Sequence, residues 1–264
     1  MSPMTTSKTD SIGRARRLLP ALLIAGALVA IWQSYVVVSG VRPQVLPSPA
    51  RVLTQGWSHR VDIAGHAWST LQVTMVGFAV SLALAWALAI VVDFSPWLRR
   101  ALVPLFVVSQ TLPIIAIAPL MIIWFGFGLL PKILVIALVT FFPVAIGLLE
   151  GFAAADREAG ALLRSMGASR WQQFRYVRLP SALPRFFTAL RIGITYAVVG
   201  AVFAEYVGAT SGLGIYMSTQ KNSFRTDLVL AAVVVTAALS LLLYALTFVV
   251  ERMVAPWALT RGER

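Results

Sequence analysis

The sequence predicts an all-α membrane protein of about six transmembrane helices, with an additional polar helix between the fourth and the fifth. Of its 264 residues, 59% are hydrophobic and only 12% are charged, and the mean hydropathy is +0.82. A soluble domain carries about 25% charged residues. Because a bilayer core of about 30 Å requires about 20 apolar residues per helix, the chain has room for six spans and no large soluble domain.

The apolar runs define a membrane domain at 18–250, between an N-terminal tail at 1–17 and a C-terminal tail at 251–264. The six predicted spans are 18–38, 64–92, 101–125, 133–149, 186–207 and 227–250. The first run is longer than the apolar core of about 7–15 residues in a cleaved signal peptide, and it ends in bulky side chains. We therefore expect a retained anchor.

The connection after the first span is rich in proline and polar residues, which predicts a surface loop. Within it, Ser48 and Pro49 predict the start of a short amphipathic helix. The apolar residues of this helix are Val52, Leu53 and Trp57.

The third and fourth spans carry packing signals. Pro104, Pro113 and Pro119 interrupt the third span. Neighbouring groups must bond the carbonyls that proline frees in a membrane, so we expect this span to pack inside a bundle. Gly147 and Gly151, four residues apart in the fourth span, predict close packing against another helix.

The basic residues predict the orientation. With the N-terminus in the cytoplasm, fifteen of the 22 Lys and Arg residues fall inside, six fall outside, and Arg191 lies near an interface. The positive-inside rule therefore predicts a multi-pass protein of the cell (inner) membrane with both termini in the cytoplasm.

The predicted cytoplasmic loop at 150–185 contains the stretch REAGALLRSMGASRWQQF. Its apolar residues recur at helical spacing, at Ala159, Leu162, Leu163 and Met166. Gly167 then predicts a turn, and Ser169 is a candidate N-cap of a second helix. A helix lying on the membrane surface is one interpretation. The turn and the second helix favour docking against another protein.

The sequence lacks the residues that several other functions require. The net charge of +12 comes from residues scattered between apolar runs, so we expect no nucleic-acid partner. The chain has no cysteine, and the sequence offers no evident third ligand to accompany His59 and His66, so we expect no metal site. No acid, histidine and serine form an arrangement suited to catalysis. No lysine sits in a Gly-Lys-Ser/Thr phosphate loop, so any ATP must be hydrolysed by another polypeptide.

The main alternative is an ion-coupled secondary transporter, and a receptor or scaffold also stays open. Ion-coupled transporters keep ionisable groups near the bilayer midplane. The candidate here is Glu205, which the span boundaries place near the outer end of the fifth span. This position favours a carboxylate at the lipid headgroups over a buried proton carrier. We expect Glu205 to line the pathway or its outer gate.

The loop at 150–185 resembles the permease subunits of binding-protein-dependent ATP-binding cassette importers. Their signature is Glu-Ala-Ala, three residues, Gly, nine residues and Ile-x-Leu-Pro. Here nine residues separate Gly167 from VRLP, at 177–180. The family glutamate falls at Ala161, whereas Glu158 lies one helical turn earlier.

Other stretches extend the resemblance over nearly the whole chain. VLPSPARVL, TLQVTMVGF and AVVGAVFAEYVGATSGLG are similar to the nitrate, sulfonate and taurine branch of these permeases. SFRTDLVLAA is more similar to the subgroup for thiamine-pyrimidine precursors or riboflavin.

The resemblance implies a permease domain without a cofactor, whose polar helix is a coupling helix that docks into a separate ATPase. It also implies a solute-binding protein, a second permease copy and a small organic solute. The residues assigned to ATPase coupling are Glu158, Ala159, Leu162, Leu163, Met166, Gly167, Ala168, Leu179 and Pro180. The candidates for the translocation pathway are Glu205, Met121, Trp124, Thr140 and Phe142.

Overall fold

The computed structural model describes residues 9–111 and 113–259. Every regular element in this part of the chain is a helix. The helices are α1 (Thr9–Ser39), α2 (Pro49–Ser58), α3 (Arg60–Phe94), α4 (Pro96–Ser109), α5 (Ile114–Phe125), α6 (Leu129–Ala153), α7 (Arg157–Ser165), α8 (Arg170–Gln173), α9 (Leu179–Gly208), α10 (Leu213–Asn222), α11 (Thr226–Val254) and α12 (Pro256–Leu259). A π-helical segment, Phe174–Arg178, joins α8 to α9.

The chain divides into two compact units. One comprises the described part of Met1–Arg60 together with Gln220–Ala231. The other comprises Val61–Thr219 and the described part of Ala232–Arg264. Residues 1–8 and 260–264, which belong to the predicted tails, lie outside the described residues, and so do the basic residues Lys8, Arg261 and Arg264.

Five helices in the described part of the chain are long and apolar enough to cross a membrane. They are Leu19–Ser39, Arg60–Phe94, Leu129–Ala153, Arg170–Gly208 and Thr226–Val254. They correspond to the first, second, fourth, fifth and sixth predicted spans. The all-α membrane class is confirmed.

In the structure, the predicted third span, 101–125, is divided between two helices. α4 ends at Ser109 and α5 begins at Ile114. Pro113 lies at the break in an extended conformation, where it has no N–H to continue a helical ladder. We expected this span to pack inside a bundle, but only one of its faces does so. Ala118 is buried, whereas Ile123 and Trp124 are exposed.

Helices extend further than the apolar runs predicted. The loop predicted at 150–185 is shorter, since α6 continues to Ala153 and α9 begins at Leu179. The predicted C-terminal tail includes the last turn of α11 and all of α12. Helical hydrogen bonds are made by the backbone, so a helix does not stop where its apolar side chains stop.

The stretch at 208–226, which connects the fifth and sixth predicted spans, contains α10. The first turn of this helix buries Leu213, Gly214 and Tyr216. α10 has no clear apolar periodicity, so its position depends on contacts that the local sequence does not reveal.

In the first unit, α2 is the predicted short helix. Ser48 caps it by accepting a hydrogen bond from the Arg51 N–H at 3.3 Å. The Arg51 side chain also forms an ion pair with Asp227, with 3.0 Å between Nε and Oδ2. Gly56 lies against Ala231, where a Cβ atom would be 3.1 Å from the alanine methyl group. These contacts attach α2 to the start of α11.

The second unit is centred on the antiparallel pair α6 and α9. A Cβ atom on Gly147 would lie 2.5 Å from Ala189 Cβ, and one on Gly151 would lie 2.8 Å from Ala182 Cα. The predicted close packing at these glycines is therefore confirmed. α3 joins the pair where Gly77 faces Ile136.

We expect Gly151→Ala to lower the thermal unfolding midpoint of the purified protein. In an open helical site, alanine is more favourable than glycine by about 0.5–1 kcal/mol. At Gly151 the new methyl group meets the backbone of α9, and such overpacking costs about 1–3 kcal/mol. Gly65→Ala in α3 is the matched control, because its Cβ atom would meet nothing within 4 Å. Equal midpoints for both variants would contradict the close packing.

Candidate functional site

The polar helix predicted from the sequence is α7, and Asp156 starts it. The Asp156 carboxylate accepts hydrogen bonds from the Glu158 N–H at 2.8 Å and the Ala159 N–H at 3.3 Å. These bonds satisfy two of the donors that a helix start leaves free. The negative charge also interacts favourably with the helix dipole.

Gly167 ends α7 with a sharp turn. Its φ is +79°, a left-handed conformation that other residues rarely adopt. The Ala168 N–H donates to the Leu163 carbonyl at 2.9 Å, and the Gly167 N–H donates to the Arg164 carbonyl at 3.0 Å. This is the Schellman arrangement, which satisfies the last carbonyls of the helix. The predicted glycine turn is confirmed.

The predicted cap at Ser169 is also confirmed. Its hydroxyl accepts a hydrogen bond from the Gln172 N–H, and the Gln172 side chain accepts one from the Ser169 N–H at 2.7 Å. This reciprocal pair is a capping box. After α8 the helix continues through the π-helical segment into α9, so the turn at Gly167 is the last break before the span.

Two sets of contacts attach this loop to the membrane helices. Arg178 forms an ion pair with Asp93 near the end of α3, with 2.7 Å between Nη1 and Oδ2. The Trp171 ring stacks with the rings of Phe94 and Phe174. Phe174 is buried, and its ring also contacts Phe94 at a tilted angle and packs edge-on against Phe152 of α6. The loop is therefore held by the ends of α3 and α6.

The residues assigned to ATPase coupling differ in exposure. Leu162 and Met166, on one face of α7, are 62% and 73% exposed. Glu158 and Gly167 are exposed as well. The half-buried members of the set are Ala159, Leu163, Ala168, Leu179 and Pro180. Two large apolar side chains therefore lie side by side on the exposed face of this amphipathic helix.

Glu205 is not at the lipid headgroups, as its position in the sequence suggested; it is fully buried. Its Oε2 atom accepts hydrogen bonds from the Thr70 hydroxyl at 2.8 Å and from the Gly214 N–H at 3.1 Å. The headgroup interpretation is therefore wrong. The C-terminal end of α9 is covered because the chain folds back over it through residues 209–214.

The turn at 209–214 is fixed from α3 as well. The Thr70 hydroxyl accepts a hydrogen bond from the Leu213 N–H at 2.8 Å, and His66 Nδ1 accepts one from the Gly212 N–H at 3.1 Å. Gly212 has a φ of +121°, and a Cβ atom there would collide with the Glu205 carboxylate. Sequence reasoning missed Thr70 and His66, because they lie more than 130 residues from the turn they bind.

The other pathway candidates lie in different surroundings. Thr140 is fully buried, with its hydroxyl oxygen 2.6 Å from Ser81 Oγ on α3. Met121 is half-buried beside Ala118, and Trp124 is largely exposed. Phe142 lines a cavity of about 190 Å³ together with Gln110, Pro143 and Tyr196. The structure does not bring the five candidates together in one site.

Comparison with known proteins places these features in a family. Residues 77–258 match the family described as "Binding-protein-dependent transport system inner membrane component". The chain is 37% identical to the riboflavin transport system permease protein RibX of Chloroflexus aurantiacus, over 90% of this chain and 89% of that one.

Two further relatives are named for other substrates. The formylaminopyrimidine transport permease protein ThiX of Halalkalibacterium halodurans is 32% identical, over 92% of this chain and 98% of the relative. The taurine transport system permease protein TauC of Escherichia coli is 31% identical, over 92% and 91%. An amino acid ABC transporter with a solved crystal structure has the same fold, with a TM-score of 0.63 at 16% identity over 75% of this chain and 96% of that one.

Proposed function

This chain belongs to the family of inner membrane components of binding-protein-dependent transport systems, and on that basis we propose how its parts contribute to transport. It is a permease subunit of an ABC importer that moves a small solute across a membrane. The relatives do not favour the alternative of an ion-coupled secondary transporter.

We propose that α7 is the helix on which a separate ATPase subunit docks. The exposed side chains of Leu162 and Met166 support this, because burying two large apolar side chains against a partner is favourable. Each such side chain contributes about 1.5–3 kcal/mol when fully buried. The ATPase subunit would bind and hydrolyse the ATP, since this chain has no phosphate-binding loop.

A displacement of α7 would reach the membrane helices through the described contacts. Arg178 connects the loop to Asp93 on α3, and Phe174 connects it to Phe152 on α6. Because α8, the π-helical segment and α9 form one continuous helical stretch, the second half of the loop would move with α9.

We propose that the side bearing α7 faces the cytoplasm of the cell, as the distribution of basic residues predicts. The turn at 209–214 would then face outward, where a solute-binding protein delivers the solute. The exposed face of α5, with Ile123 and Trp124, supports a second permease copy as the neighbour that covers it. Met121, Trp124, Thr140 and Phe142 stay proposals for the pathway.

The solute is proposed to be a vitamin or vitamin precursor with an aromatic heterocycle. Two relatives are named for riboflavin and formylaminopyrimidine transport, at 37% and 32% identity. Sulfonates and taurine are the second class, because relatives at 31% and 30% identity are named for them. Uptake by proteoliposomes distinguishes the vitamin class from the sulfonate and taurine class.

Glu205 is proposed to hold the outer gate closed until the solute-binding protein docks. It lies beneath the turn at 209–214, where its carboxylate accepts a hydrogen bond from the Gly214 backbone. It thus fixes the turn from below while Thr70 and His66 fix it from α3. In this position Glu205 acts on the turn and does not itself contact solute.

The docking proposal is tested by co-purification. We expect an ATPase expressed from the same operon to be retained by the tagged chain and to be lost from the double variant Leu162→Asp/Met166→Asp. Two carboxylates would have to be buried at the interface, which is unfavourable. Tyr176→Asp is the control, since Tyr176 is 66% exposed in the same loop but lies outside α7. Equal loss of the ATPase from the double variant and from Tyr176→Asp would show that α7 is not the specific contact.

The turn at Gly167 should be required for coupling. A β-branched residue in the left-handed conformation costs at least about 1–2 kcal/mol, so we expect Gly167→Val to reorient α7 and to separate ATP hydrolysis from uptake. Gly40→Val is the matched control, because Gly40 also has a positive φ, +63°, and no neighbour within 4 Å. The measurement is uptake per ATP hydrolysed in proteoliposomes. Wild-type coupling in Gly167→Val would overturn this role.

The outer gate is tested in the same proteoliposomes with labelled riboflavin, formylaminopyrimidine and taurine in turn. Glu205→Gln replaces a carboxylate by a neutral amide, and hydrogen bonds to a charged acceptor are the stronger ones, so we expect the turn to loosen and ATP hydrolysis without solute to rise several-fold. Glu150→Gln, at an exposed acid, should not change it. Unchanged basal ATP hydrolysis in Glu205→Gln would contradict the role of Glu205 in the outer gate.

The same uptake measurements test the proposed solute. Uptake of taurine but of neither riboflavin nor formylaminopyrimidine would contradict the proposal of a vitamin or vitamin precursor.

A further inference from the structure

Two adjoining cavities lie between α7 and the ends of the membrane helices. They have volumes of about 340 and 390 Å³. Both are lined by Asp93, Arg164, Gln173 and Arg178. Arg99 and Arg157 line the first cavity, and Arg170 lines the second.

The lining is strongly basic. Five arginines face two aspartates, Asp93 and Asp156. Both aspartates are already engaged: Asp93 is paired with Arg178, and Asp156 accepts the N–H groups at the start of α7. Carboxylates within the cavities therefore leave most of the guanidinium charge uncompensated.

The arginines of α7 lie on the face opposite to its exposed apolar residues. Arg157, Gly160 and Arg164 follow each other at steps of three and four and line the first cavity. Leu162 and Met166 are about half a turn away around the helix axis and line neither cavity. The surface proposed for the ATPase and the basic cavities are thus on different sides of the same helix.

We propose that these cavities bind a phosphate ester group, such as the headgroup of an anionic phospholipid. The guanidinium group presents parallel N–H donors that match phosphate oxygens in a bidentate manner. Basic pockets at the membrane surface bind anionic headgroups for the same reason. Soluble phosphate compounds carry the same group and are the second source to distinguish.

The walls of the cavities favour the lipid as the source. Phe152, Ala153 and Val177 line the first cavity beside the arginines, and Phe94, Pro96 and Phe174 line the second. Such a combination of apolar walls and guanidinium groups suits an ester with a glycerol and acyl portion. The cavities also lie beside the ends of α3 and α6, two of the helices that are long and apolar enough to cross a membrane, and the ends of such helices would reach the headgroup region of a bilayer.

A headgroup in this position would connect α7 to the membrane helices. Arg157 and Arg164 belong to α7, Arg99 belongs to α4, and Arg178 is paired with α3. If one phosphate group contacts arginines from all of these elements, the position of α7 depends on the lipid composition of the membrane. This inference does not depend on which solute is transported.

The test uses the full-length chain without its ATPase, purified in neutral detergent and titrated with phosphatidylglycerol or phosphatidylcholine. Bound lipid is counted by native mass spectrometry. The variant Arg157→Gln/Arg164→Gln removes two guanidinium groups from the cavities. Arg175→Gln/Arg252→Gln removes the same charge from exposed arginines that line neither cavity. A parallel arm replaces the lipid by inorganic phosphate.

We expect the cavity variant to retain at least five-fold less phosphatidylglycerol than the wild type, the control variant to match the wild type, and phosphatidylcholine to bind weakly to all three. Specific binding of inorganic phosphate that the cavity variant alone loses would also support the phosphate site and assign it to a soluble source. Equal lipid loss in both variants, or none in either, would overturn the proposal. The proposal would also be overturned if the cavity variant binds lipid normally and loses the ATPase in the separate co-purification assay, because the arginines would then serve a protein contact.

Discussion

The close approach of α6 and α9 is the constraint on which the second unit depends. Gly147 and Gly151 have no side chains, so the backbone of α9 reaches them at Ala189 and Ala182. Lipid tails are as apolar as the helix surfaces, so association in a membrane depends on packing of this kind and not on the hydrophobic effect. The loop with α7 connects the ends of these two helices, and its position follows from their pairing.

The loop itself is fixed at its two ends by different means. α7 begins at a capping aspartate and ends at a left-handed glycine, both of which are local features. Beyond Gly167, the loop is attached to α3 and α6 through the Asp93–Arg178 pair and the aromatic cluster around Phe174. The second half of the loop is thus held by the membrane helices, whereas the first half is capped at its own two ends, which fits the proposed docking of an ATPase subunit on α7. The arginines on the inner face of α7 place a second, chemically different surface on the same element.

Glu205 shows how burial changes the interpretation of a residue. In the sequence it is an acid near a span end, and lipid headgroups are its natural environment. In the structure it is enclosed, because the chain turns back at Gly212 and places the Gly214 N–H and the Thr70 hydroxyl beside the carboxylate. A buried carboxylate without such donors would be strongly unfavourable. The turn and the acid therefore depend on each other.

The sequence by itself determined the membrane class, the approximate positions of the five long helices, the caps at Ser48 and Ser169 and the turn at Gly167, because these depend on composition and on neighbours a few residues away. It also carried the family resemblance, through the spacing from Gly167 to Pro180. Only the tertiary structure decided that α10 forms and that Glu205 is buried. These features arise from contacts between residues far apart in the chain, such as Thr70 with Leu213, and no local pattern encodes such contacts.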